Sequence, residues 1–100
     1  MEKEIQINIK APVKEFLDFK KNIKNNEDLK IKSKNPMRVK ESFEPVINSL
    51  TVIGGFSGLV YLGEKAYKFI KKEDVKEMQI EGEKITSDMS KEEVIRKIKP

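Results

Sequence analysis

Ile5, Ile7 and Ile9 alternate with Gln6, Asn8 and Lys10 near the start of the chain. A period of two predicts a half-buried strand with one aliphatic face, and an edge of it could accept a partner strand. Pro12 suits the first turn of a helix, where its missing N–H costs nothing. Val13, Phe16, Leu17, Lys20 and Ile23 then share one helical face, with Lys14, Glu15, Asp18 and Lys21 opposite and Asn25-Asn26 as the stop. Phe16 and Phe19 read as core residues. Leu29 and Ile31 alternate with Lys30 and Lys32, a short second strand broken by Asn35-Pro36. Residues 33–44 are mixed and polar, which predicts a loop with one helical turn around Met37 to Phe43.

From Pro45 to Gly63 the chain runs nineteen residues without a charge, although 38% of all residues are charged. The pattern predicts a central helix from Val46 to Lys72, opened by Pro45. It is apolar nearly all round to Gly63, then amphipathic, with Ala66, Tyr67, Phe69 and Ile70 against Lys65, Lys68, Lys71 and Lys72. The terminal lysines suit the negative pole of a helix dipole. Gly54, Gly55, Gly58 and Gly63 interrupt the run, each at about 1 kcal/mol relative to alanine inside a helix. Such a cost is tolerated where another backbone comes close, and Gly54-x-x-x-Gly58 has the small-xxx-small spacing that lets two helices approach. The same glycines do not form a phosphate loop, because Leu59-Val60 stands where Lys-Ser/Thr is needed. Whether the helix continues across Gly54-Gly55 is left open by the pattern.

After Asp74 the period returns to two. Met78 and Ile80 alternate with Glu77, Gln79 and Glu81, Gly82 supplies a turn and Ile85 continues the return strand, so a hairpin is predicted over Val75 to Thr86. Ser90 and Glu93 form a capping box before a last short helix carrying Val94, Ile95 and Ile98 on one face. These elements predict an α+β fold in a single domain over residues 1–100. The expected architecture is a small mixed sheet of about four strands, packed on a Gly-rich buried central helix with two shorter helices.

Composition narrows the chemistry. There is no cysteine and no histidine, which excludes disulfides, thiolate or imidazole metal sites and His-based triads. Glu77, Glu81, Glu83 and Asp88 are interleaved with lysines and lack a glycine-anchored loop, so they read as a solvated sheet face rather than a calcium site. The net charge of +4 is mild and Arg38 and Arg96 are the only arginines, so no specific nucleic-acid partner is expected. No catalytic, cofactor-binding or metal residue is assigned, and no enzyme is expected.

The charged amino-terminal stretch lacks a signal-peptide core, and with the lysine-rich, cysteine-free composition it points to a cytoplasmic protein. A helix apolar on every side must be covered. A homo-oligomer or protein partner on the Gly54 and Gly58 face, with Tyr61 and Tyr67 supplying apolar contact at its exit, would cover it. The alternative is a small membrane-anchored protein, a scaffold or membrane-perturbing toxin, that uses residues 45–63 as a transmembrane helix with its lysine flank on the cytoplasmic side.

The layout also resembles the effector-associated constant component family of bacterial conflict systems. The points of similarity are Ile5-Gln-Ile-Asn-Ile9, the Phe16-Leu17 helix, the glycine-bearing run Leu50–Gly63, and Ile80-Glu-Gly-Glu-Lys-Ile85 followed by Glu93-Val-Ile-Arg-Lys-Ile98. The resemblance covers nearly the whole chain. It implies a small non-enzymatic adaptor or sensor component that acts through protein contacts beside effectors such as peptidases or nucleotide-hydrolysing sensors. It carries over no functional residue.

Overall fold

The strand predicted at the amino terminus becomes the centre of the molecule. In the computed structural model, which describes residues 2–32 and 46–98, β1 (Lys3–Ala11) is followed by α1 (Val13–Lys24), β2 (Leu29–Ile31), β3 (Val46–Gly54), α2 (Phe56–Ile70), β4 (Glu77–Ile80), β5 (Glu83–Ile85) and α3 (Lys91–Ile98). The loop and helical turn expected around Met37 to Phe43, and the role of Pro45, lie outside the described residues.

The five strands form one antiparallel sheet in the order β2-β3-β1-β4-β5. β1 and β2 both run antiparallel to β3, so they are parallel to each other and enclose it. In the same way β3 and β4 are parallel and enclose β1. Two interlocked split β-α-β units result, with α1 and α2 as the crossovers. This is the ferredoxin-like topology, extended here by β5 and α3.

The α+β class holds, with corrections at its centre. The predicted helix from Val46 to Lys72 is a strand followed by a helix, broken at Gly55, and the sheet has five strands rather than about four and is antiparallel throughout rather than mixed. The physical reason lies in the first half of the run. Val46, Ile47, Thr51, Val52 and Ile53 are β-branched, which suits a pleated strand better than a helix. Gly54-Gly55 then permits the turn into α2, whose interior is richer in Leu, Ala, Glu and Lys.

One face of the sheet makes the core. Ile5, Ile7, Ile9 and Ala11 of β1 are fully buried beside Leu50 and Val52 of β3, Met78 and Ile80 of β4 and Ile85 of β5. The helices close that face in a row, with α2 in the middle. Phe19 of α1 stacks on Phe69 of α2 with ring centroids 4.7 Å apart, and the Tyr61 hydroxyl donates to the Asn22 carbonyl at 3.0 Å. On the other flank α3 lies against Gly63. A Cβ there would stand 2.6 Å from Ile95 Cγ1 and 3.1 Å from its Cα, so only glycine allows this approach. The α1 face is shifted slightly from its prediction: Val13, Phe16, Phe19 and Ile23 are buried, while Leu17 is half-buried.

The hairpin forms as predicted, and of the capping box the Ser90 cap on the Glu93 N–H forms. Glu81 and Gly82 both have positive φ, 54° and 79°, as the tight two-residue turn between β4 and β5 requires. Glu81 is held in this conformation from β1: its N–H donates to the Gln6 carbonyl at 2.9 Å, and its carboxylate accepts the Gln6 N–H at 3.0 Å. At α3 the Glu93 N–H donates to Ser90 Oγ at 3.2 Å.

Candidate functional site

Gly54 and Gly58 do not form one helical face. Gly54 is the last residue of β3, and Gly58 lies in the first turn of α2. Both are buried under the turn that leads into β2. A Cβ on Gly54 would meet Leu29 Cδ2 at 2.6 Å, and one on Gly58 would meet Asp28 Oδ2 at 2.8 Å and the Asp28 carbonyl at 2.9 Å. The close approach that the spacing signals is made within the chain.

That approach delivers a carboxylate to the start of α2. The N-cap residue is Gly55, which has no side chain to satisfy the first N–H groups, and the first turn carries no acid. Asp28 supplies the missing acceptor across a sequence gap of thirty residues: its Oδ2 accepts the Gly58 N–H at 2.6 Å and the Ser57 hydroxyl at 3.1 Å. Asp28 is itself positioned by Asn26, whose side chain accepts the Asp28 N–H at 2.8 Å. The Gly58 N–H, then the Ser57 hydroxyl, hold the Asp28 carboxyl below its ordinary 3.8, against an opposing desolvation effect. Asp88 is lowered as well, mainly by the Thr86 hydroxyl. Both groups are carboxylates tied into turns and helix ends.

Tyr61 and Tyr67 are half-buried and packed against the core cluster. Each lies under a lysine four residues on, with Lys65 Nζ 5.2 Å from the Tyr61 ring centre and Lys71 Nζ 4.5 Å from that of Tyr67. Six residues along a helix turn them to different sides, so the two tyrosines do not share a patch with each other or with the glycines.

The surface that sequence reasoning missed is the sheet face turned away from the helices. The register places Ile47, Ser49, Thr51 and Ile53 of β3 on it, beside Glu4, Gln6, Asn8 and Lys10 of β1 and Glu77 and Gln79 of β4. Charges sit at the ends and margins, as in the Lys32–Glu4 pair at 3.4 Å. The middle is neutral: Ser49 Oγ donates to Asn8 Oδ1 at 2.7 Å. Ile47 is 71% exposed, and Phe56, at the start of α2, is 69% exposed. The alternation that defines this stripe was present in the sequence, but the absence of charge on both faces of β3 concealed it.

Among the described residues no group of three or more acidic side chains is placed to hold a metal ion, and no helix is long and apolar enough to cross a membrane. The stretch considered as a span is divided between β3 and α2. No family model matches the chain, and neither a curated protein nor a solved structure matches it.

Proposed function

We propose that the protein is a non-catalytic interaction module that receives a protein partner, or a second copy of itself, on the open face of its sheet. The observation that carries this reading is the outer stripe of β3. Burial accounts for Leu50 and Val52, but Ile47, Ser49, Thr51 and Ile53 are equally free of charge and point away from the core. An antiparallel sheet face left to water ordinarily carries charged and polar residues along each strand, as β1 does here with Glu4, Gln6 and Lys10. Depletion of charge at the centre of a patch with charges at its rim is the composition of a docking surface. The resemblance to the effector-associated constant components points the same way, although the glycine-bearing run that contributes to it is a strand and a helix rather than one helix. A role as adaptor or sensor component within a conflict system is the biological setting this reading adopts.

The test is site-specific photo-crosslinking in cells that make the protein. A crosslinker in place of Thr51 is expected to give one discrete adduct, with another protein or with a second copy, and Ile47→Lys is expected to abolish it. A crosslinker in place of Lys91 on α3 serves as the control. Equal adducts from both positions, or none from Thr51, would remove the basis for this reading.

A further inference from the structure

The lysines of the helical layer are not evenly spread. α1, α2 and the four residues after α2 hold eight lysines and five acids, an excess of three that makes up most of the +4 of the whole chain. Helical spacing places Lys14 and Lys21 on the outward side of α1, and Lys65, Lys68, Lys71 and Lys72 along the outward side and seam of α2. The acids offset them only in part. Glu15 is tied to Lys72 at 3.0 Å with its side chain 18% exposed, Glu64 is half-buried like Lys65, Asp18 is exposed on α1, and Glu73 and Asp74 are exposed just past α2.

The two helices run antiparallel, because Glu15 meets Lys72 at one end and Asn22 meets Tyr61 at the other. Their outward sides form one basic face, opposite the outer face of the sheet. We infer that this face lies against an anionic phospholipid surface.

Shape and side-chain chemistry favour a bilayer over duplex nucleic acid. Two packed helices, each about 10–12 Å across and about 8–10 Å apart, make a face about 20 Å wide. The major groove is about 12 Å wide and admits one helix, so this pair cannot enter it. Every cation that α1 and α2 contribute is a lysine, a point charge suited to a diffuse field of headgroups rather than to bidentate phosphate or base recognition. Clusters of four to eight basic residues on a helical surface are the usual match to acidic leaflets. Tyr61, at the seam between the two helices, adds a ring with one apolar and one polar end beside Lys65, a type favoured at membrane interfaces. The exposed large apolar residues among those described, Ile47 and Phe56, are not among these residues. The contact is therefore electrostatic and peripheral, distinct from a spanning segment.

The test is vesicle co-sedimentation of the whole chain, independent of any partner for the sheet face. Vesicles of phosphatidylcholine with about 30% phosphatidylserine are expected to bind the protein at low salt, at least tenfold better than phosphatidylcholine alone, and to release it at about 0.5 M salt. Lys14→Glu, Lys21→Glu and Lys68→Glu together are expected to weaken binding at least tenfold. Lys10→Glu, Lys30→Glu and Lys84→Glu, which change net charge equally on the outer face of the sheet, are expected to alter it less than twofold. If the first triple variant does not melt cooperatively, Lys21→Gln with Lys68→Gln replaces it, with an expected loss of about threefold. Absence of binding, equal loss in the control variant, or displacement from vesicles by equimolar short duplex DNA would overturn the inference.

Discussion

β3 and the first half of α2 share one charge-free run, yet they meet the rest of the molecule differently. β3 buries alternate residues in the core and turns Ile47, Ser49, Thr51 and Ile53 outward. α2 is covered on three sides, by the sheet, by α1 at Phe19 and by α3 at Ile95. In the helix the lack of charge is a packing requirement. In the strand packing explains only half of it, and the other half faces outward, on the surface proposed for docking. A long uncharged segment is therefore not one signal. Its meaning depends on whether successive residues face one environment or two.

Substitutions separate the two halves. The largest effect is expected on the inner side of the strand, where Leu50→Ala should lower unfolding free energy by about 3 kcal/mol in denaturant titration. A loss below about 1 kcal/mol would mean that the inner stripe is not the closed core described. Gly63→Leu should come next, at about 2 kcal/mol, because the new side chain must displace the Ile95 backbone, and a better helix former offsets only about 1 kcal/mol of that strain. If Gly63→Leu proved neutral, α3 would be free to shift and the third covered side of α2 would be lost from the comparison.

Asp28→Ala tests the junction between the halves. It should lower the thermal midpoint by about 5 °C, and Asp28→Asn, which keeps an acceptor, should recover part of that. The sign with pH follows from the lowered folded-state value. The Asp28 contribution is complete above its ordinary 3.8 and is lost as pH falls through the lower value in the folded protein. The stability of Asp28→Ala should therefore fall less steeply below pH 3.8 than that of the parent. Parallel acid profiles would show that the carboxylate does not cap α2. The smallest effect is expected outside: Thr51→Lys should change stability by no more than about 0.5 kcal/mol while interfering with partner adducts. A large loss of stability there would move the outer stripe from binding to folding.

Much of this arrangement could be read from local pattern. The Ile5–Ile7–Ile9 alternation, the helix after Pro12, the Leu29–Ile31 strand, the Gly82 turn and the Ser90 cap each depend on neighbours within a few residues, and each formed where expected. β3 was misread because the clearest marker of a strand's face, alternation of apolar with charged residues, is missing from it. Its β-branched content and the Gly54-Gly55 break were the available signals. The docking of Asp28 on Gly58 had no local trace, since acceptor and donor lie thirty residues apart and only the β2–β3 pairing unites them. Asn48 shows the same limit from another side. It sits on the inner face opposite Ile9 with its Nδ2 buried and lacking a hydrogen-bond partner among the described residues, and no rule of spacing places an amide there.

The central position of β1 has a kinetic consequence. Ile7 is flanked by Leu50 on one side and Ile80 on the other, and Lys3 Nζ donates to the Ile98 carbonyl at 2.8 Å. Its pairings all reach far along the chain, so folding must close large loops before this strand is satisfied, and the rate should be slow for a domain of this size. Once formed, the amides of Ile7–Lys10 in β1 are screened by a strand on either side. Their exchange with solvent deuterium should require opening of the whole molecule, whereas the amides of α3 should exchange through fraying of that helix alone.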